Sequence, residues 1–136
     1  MKRQLVSAMI VIAGIFAVVT AFAQQRPHDQ VMKDIGATFA NLKKNLDANS
    51  SAAAVDDAAK LEGLFRETEA FWQAVNTEDA VGFAKSAAAA AAAVGAAAKG
   101  NDTKAAQASY SAIQKNCGVC HSAHREQTGN GFVIKP

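Results

Sequence analysis

Seven consecutive alanines, Ala87 to Ala93, lie inside a stretch from Ala84 to Ala98 that only Lys85, Ser86, Val94 and Gly95 interrupt. Such a segment has too little side-chain bulk to build a sheet face. It does consist of the residue with the best helix propensity, and its small side chains permit close helix packing. Alanine makes up roughly a quarter of the chain, far above ordinary usage. The chain has only two prolines, and no run after position 23 is rich in β-branched residues. Sheets are therefore disfavoured, and the fold class expected is all-α.

Four segments carry helical periodicity. The first spans about His28 to Asp47, with Met32, Ile35, Phe39, Leu42 and Leu46 in steps of three and four, the seam of a helix packed on near-parallel partners. Asp29 and Asp34 near its start and Lys43-Lys44 near its end suit the helix dipole. The second spans about Ala52 to Val75 after a polar break in which Ser50 or Ser51 could cap. Its expected buried stripe is Leu61, Leu64, Phe65, Thr68, Phe71, Trp72 and Val75. The third starts after Asn76-Thr77 and stops at Gly100. Asn101 or Asp102 caps the fourth, which is expected to reach about Glu126, with Phe132 to Pro136 as an irregular tail beyond Gly129-Asn130-Gly131. Helices of about 20 residues with short connections favour antiparallel neighbours, hence an up-down-up-down four-helix bundle.

The N-terminus reads differently. Met1-Lys2-Arg3, an apolar run from Leu5 to Phe22 and Ala21-Phe22-Ala23 fit a signal peptide over residues 1–23, leaving 24–136 as one exported domain. An uncleaved membrane anchor is the competing reading. Lys85, Ser86 and Lys99 argue against any second membrane span. Without Lys2 and Arg3, the 14 basic and 12 acidic residues fall to 12 of each sign. The electrostatic case for nucleic acid goes with them.

One motif carries chemistry. Cys117-Gly118-Val119-Cys120-His121 is the c-type haem attachment pattern. On a helix, residues i, i+3 and i+4 share a face, so both cysteines and His121 project together. Two thioethers could then hold the macrocycle while His121 binds iron. A disulfide between i, i+3 cysteines fits helical geometry poorly. A thioredoxin-like motif expects a βαβ setting. Zinc would need two further ligands, with only His28 and His124 on offer.

An all-helical chain of this size with its Cys-x-x-Cys-His on the last helix resembles the class II c-type cytochromes of the cytochrome c′ family. The resemblance covers about residues 26 to 135, including Arg125 four residues after His121 and the tail Gly131-Phe132-Val133-Ile134-Lys135. It departs at His124, where the family usually has tyrosine or phenylalanine, and in the tight connection between the second and third helices. It implies one covalent haem c per chain. Met32 stands where a low-spin subgroup places its sixth iron ligand, and His28 where many relatives carry a propionate-binding arginine.

Bundle geometry bears on Met32 separately. It lies about four residues into the first helix, roughly 6 Å, and His121 about five before the end of the fourth, roughly 7.5 Å, at 1.5 Å per residue. The two could face each other across a haem. Met32 could equally be a core knob, since methionine fills gaps well. The same level argument puts Phe71, Trp72 and Phe83 beside the macrocycle and the alanines at the far end, though each ring could equally be ordinary core packing without haem contact. Arg125 could neutralise a propionate, or be a solvated cation near a helix C-terminus.

No nucleophile–base set is visible, so no enzyme is expected. The expected function is periplasmic single-electron transfer through a His121/Met32-ligated haem iron, with redox proteins as partners and room for a homodimer. The alternative is a five-coordinate haem that binds nitric oxide or carbon monoxide.

Overall fold

A computed structural model describes residues 25–136. The expected leader, its cleavage site, and Met1 and Met9 lie outside the described residues. The described residues form four helices, α1 His28–Asp47, α2 Ser51–Ala74, α3 Glu78–Lys99 and α4 Thr103–His124. They are followed by β1 Arg125–Thr128 and β2 Gly131–Ile134. The described residues are all-helical apart from this small hairpin, as a four-helix bundle would be.

The turns explain why the helices stop where they do. Asn49, Asn76 and Asn101, one in each interhelical connection, adopt φ of 54°, 57° and 55°. Asparagine tolerates this left-handed region better than other side chains, and it breaks each helix sharply. Gly100 keeps a negative φ of −82°. Asp102 caps α4, its carboxylate accepting from Ala105 N–H at 2.9 Å. Ser50 occupies the cap position of α2 with no side-chain capping bond.

Leu42, Leu61, Val94 and Ile113 are fully buried at the centre of one core. Ala54, Ala58, Ala87, Ala88, Ala91, Ala98 and Ala106 fill the spaces between helices. A Cβ placed on Gly95 would already touch Ala58 at 3.5 Å, a measure of how closely α2 and α3 approach. α3 packs on both α2 and α4, and α1 on α2, whereas α1 and α4 meet only sparsely. At one end Asn45 donates to Asp57 at 2.7 Å and Ser51 Oγ to Asn101 at 2.9 Å. This gathers the end of α1, the start of α2 and the α3–α4 turn.

The seams differ in detail from expectation. In α1, Val31 and Thr38 are buried, while Met32 and Phe39 are only half-buried. Phe39 instead stacks on Tyr110, ring centroids 4.2 Å apart. In α2, Val75 is exposed at 39% because it belongs to the turn, not to the stripe. α3 is by length and composition apolar enough to cross a membrane, so its lysines do not exclude that as expected. Its buried alanines face the shared core.

The largest correction is at the C-terminus. α4 ends at His124, not near Glu126, and the supposedly irregular tail pairs back on Arg125–Thr128 as an antiparallel hairpin. Gly131 has a φ of 132°, which only glycine adopts easily. Thr128 Oγ1 donates to the Gly131 carbonyl at 3.1 Å.

Candidate functional site

The inward stripe of α4 runs through Tyr110 and Ile113 to Cys117, Cys120, His121 and His124. Cys117, Cys120 and His121 are each half-buried, while the intervening Gly118 and Val119 are exposed. The helical spacing therefore delivers both sulfurs and the imidazole to one face. Both cysteines are free thiols. Burial pushes the Cys117 thiol up. Burial, then the neighbouring Cys117 and Asp79, push Cys120 up to about 11. Catalytic redox cysteines have depressed values, so this environment does not suit thiolate exchange. Burial, with Arg125 nearby, lowers the His121 pKa. That favours the neutral imidazole a metal requires.

Three other helix ends converge beyond this motif. His28, at the start of α1, stacks on Phe71 of α2 with centroids 4.0 Å apart, and meets Trp72 edge-on at 5.6 Å. Trp72 is 3% exposed and also packs on His124, 5.1 Å away. Burial lowers the His28 pKa; Asp29 opposes this, and His121 adds to the fall. Two buried polar atoms here, His28 Nδ1 and Trp72 Nε1, have no hydrogen-bond partner. Arg26 lies just outside, committed to Asp34 at 2.7 Å and Glu67 at 2.9 Å. Met32 is half-buried and packs against the core cluster. Phe83, on α3, is half-buried.

Arg125 is a solvent-exposed cation directly after α4, the second of its two expected settings. It lies exposed on β1, its guanidinium 4.0 Å above the Phe132 ring. His124, buried against Trp72, is also a clamp. Its Nδ1–H donates to the Lys135 carbonyl at 2.9 Å, and its Nε2 lies 3.0 Å from the Asp79 carboxylate. Lys135 N–H returns a bond to the His124 carbonyl at 2.9 Å. Both ring nitrogens face groups that can only accept. Burial pushes the Asp79 carboxyl up, but its bonds from His124 and the Ala80 N–H outweigh this and hold it below the usual range. Asp79 and Lys135 had no distinguishing sequence signal. For the hairpin there was one: two short runs separated by Gly129-Asn130, a recognised turn pair.

Among the described residues, no group of three or more His, Cys, Asp and Glu side chains is placed to hold a bare metal ion. The chain matches no protein-family model, no curated protein and no solved structure.

Proposed function

We propose that this chain is an exported c-type cytochrome, similar to the cytochrome c′ family, carrying single electrons between periplasmic redox proteins. The observation that carries the reading is Cys117-Gly118-Val119-Cys120-His121 presented on one half-buried helix face. In this reading Cys117 and Cys120 hold haem c through thioethers, and His121 supplies a neutral imidazole to iron. Haem iron supplies a one-electron couple tuned by axial ligands and burial. The protein need contribute only one or two ligands, so the reading does not require a cluster of three.

Two observations support the fit. The orphaned Trp72 Nε1–H and His28 Nδ1 lie among aromatic rings at the end of the molecule that holds the motif, where a tetrapyrrole carboxylate would find partners. The sparse packing between α1 and α4 suits a planar group held between Met32 and His121. The contacts at both helix ends are those an up-down-up-down bundle would make. A leader removed after Ala23 completes the proposal, and the mature chain's balanced charge gives nucleic acid no foothold.

Met32 divides the proposal in two. As sixth ligand it makes the haem low-spin and dedicated to electron transfer. Its packing against the core favours a second reading, in which it is a knob and the haem binds nitric oxide or carbon monoxide. The optical spectrum of the purified protein separates them. A thioether ligand gives a low-spin spectrum with a weak long-wavelength charge-transfer band that Met32→Ala abolishes. A wild type that is already high-spin and takes up carbon monoxide at once supports the gas-binding reading.

A further inference from the structure

A two-stranded hairpin is marginal on its own, and its open edges are templates for another strand. Every residue from Arg125 to Pro136 is exposed, so both faces of this hairpin meet solvent. Phe132, Val133 and Ile134, consecutive on β2, are 57%, 47% and 42% exposed. Among the described residues, Val75 and Val119 are the only other large apolar side chains so open. The two edges differ. On β1, the Arg125 N–H is already bonded to the His121 carbonyl of α4. On β2, the register decides which groups are free. Lys135 N–H reaches the His124 carbonyl, one step beyond the pairing of Ile134 with Arg125. Ladder bonds alternate along an antiparallel strand, so the N–H and C=O of Phe132 and Ile134 point away from β1.

We propose that β2 pairs antiparallel with β2 of a second copy of this chain, across a two-fold axis at Val133. In that register Phe132 lies opposite Ile134 of the second copy, and the two exchange both backbone bonds. Symmetry repeats the exchange, so all four outward groups are satisfied at once. A slip of one residue would set inward-pointing groups against outward ones. A slip of two recruits only Asn130, in the turn, or Pro136, which has no N–H. The side chains agree with this register, since aromatic meets β-branched and valine meets valine. The charges agree as well. Lys135 faces Gly131 of the second copy, where a Cβ would meet nothing within 4 Å. Its stem has room to cross there toward Glu126 of that copy, on the same face of the sheet as Val133. Glu126 and Lys135 are exposed, and neither joins an ion pair among the described residues. Two four-residue strands bury less than the about 1,200 Å² of a standard stable interface, so the pairing is a transient one. Because β1 follows α4 directly, it joins the motif-bearing ends of two α4 helices, whatever the motif holds.

Sedimentation velocity of the purified mature protein should show a monomer–dimer equilibrium, with dimer the main species by about 1 mM. Val133 sits on the axis, so Val133→Lys should set two like charges directly opposite each other and remove the dimer. Val133→Glu should do the same, and mixing the two variants should restore a one-to-one dimer. In the wild type, amide exchange at Phe132 and Ile134 should slow at least about threefold between dilute and concentrated protein. The Val133 amide, bonded to β1 in either state, should already be protected in dilute protein. Exchange in the wild type needs no variant, so it decides the matter even if both substitutions unfold the hairpin. A wild type still monomeric at about 1 mM, or exchange at Phe132 and Ile134 that ignores concentration, overturns the proposal. So does a Val133→Lys variant that dimerises as the wild type does, or a mixture of the two variants that stays monomeric with its hairpins intact.

Discussion

The two ends of the helices are built on opposite terms. Where α1 ends and α2 begins, small side chains close the core: Ala54, Ala58, Ala98 and Ala106 are all but fully buried. The other end carries the large and polar groups. His28, Phe71, Cys117, Cys120 and His121 are half-buried, two buried polar atoms lack partners, and one histidine is clamped between a carboxylate and the C-terminal tail. Tight alanine packing maximises close approach and leaves no group free to do chemistry. The opposite end holds the cysteines and histidines of the chain. In the proposed reading, stability and function are thus separated along the helix axis.

Substitutions at the two ends should therefore move different observables. The largest effect belongs to Cys117→Ser/Cys120→Ser, which should abolish covalent haem completely, read by absorbance after denaturation. Next, Ala91→Leu should overpack a fully buried position and lower stability by about 1–3 kcal/mol in chemical denaturation, with the absorption spectrum unchanged. His124→Ala should cost a comparable amount, about 1–3 kcal/mol, because it leaves Asp79 and the Lys135 carbonyl without their donor. Its signature would be local: hydrogen exchange should rise in Arg125–Ile134 before it rises in the helices.

A pH effect should follow in the haem-free double variant. His28 and His121 are lowered from 6.5 in the folded chain, so the unfolded chain binds more protons in the window just below that value. Stability should be complete above about pH 6.5, fall as pH drops from there toward the lower folded values, and level off below them. In the holoprotein His121 should drop out of this effect, because iron would hold it deprotonated. Melting temperatures of the two proteins across mildly acidic pH measure the difference. Smallest of all, Phe132→Ala should cost about 0.5–1 kcal/mol, the loss of one exposed contact with Arg125.

Much of this contrast was legible in the sequence. Periodicity and polar breaks placed the first and third helices at their observed limits, because amphipathic pattern and turn chemistry both act locally. The Cys-x-x-Cys-His face was legible for the same reason: three residues within two turns of one helix need no tertiary knowledge. The misses involve partners distant in sequence. His124 could not be recognised as a clamp without knowing that Asp79 and Lys135 converge on it from 45 and 11 residues away. Met32 and Phe39 belong to the α1 seam by spacing alone, yet Val31 and Thr38 take the buried places once the helix rotates against α2. The hairpin departs from the expected irregular tail because Gly129-Asn130 does two things at once: it stops a helix, and between two short runs it is also a strand-pairing signal.

The central claim is that the motif on α4 holds haem by two thioether bonds. Acid-acetone extraction of the purified mature protein, followed by a denaturing gel stained for haem peroxidase activity, tests it directly. The stain should stay with the protein band, and intact mass should equal residues 24–136 plus one haem. Colour that leaves the band entirely, or a mass with no haem, would contradict the account.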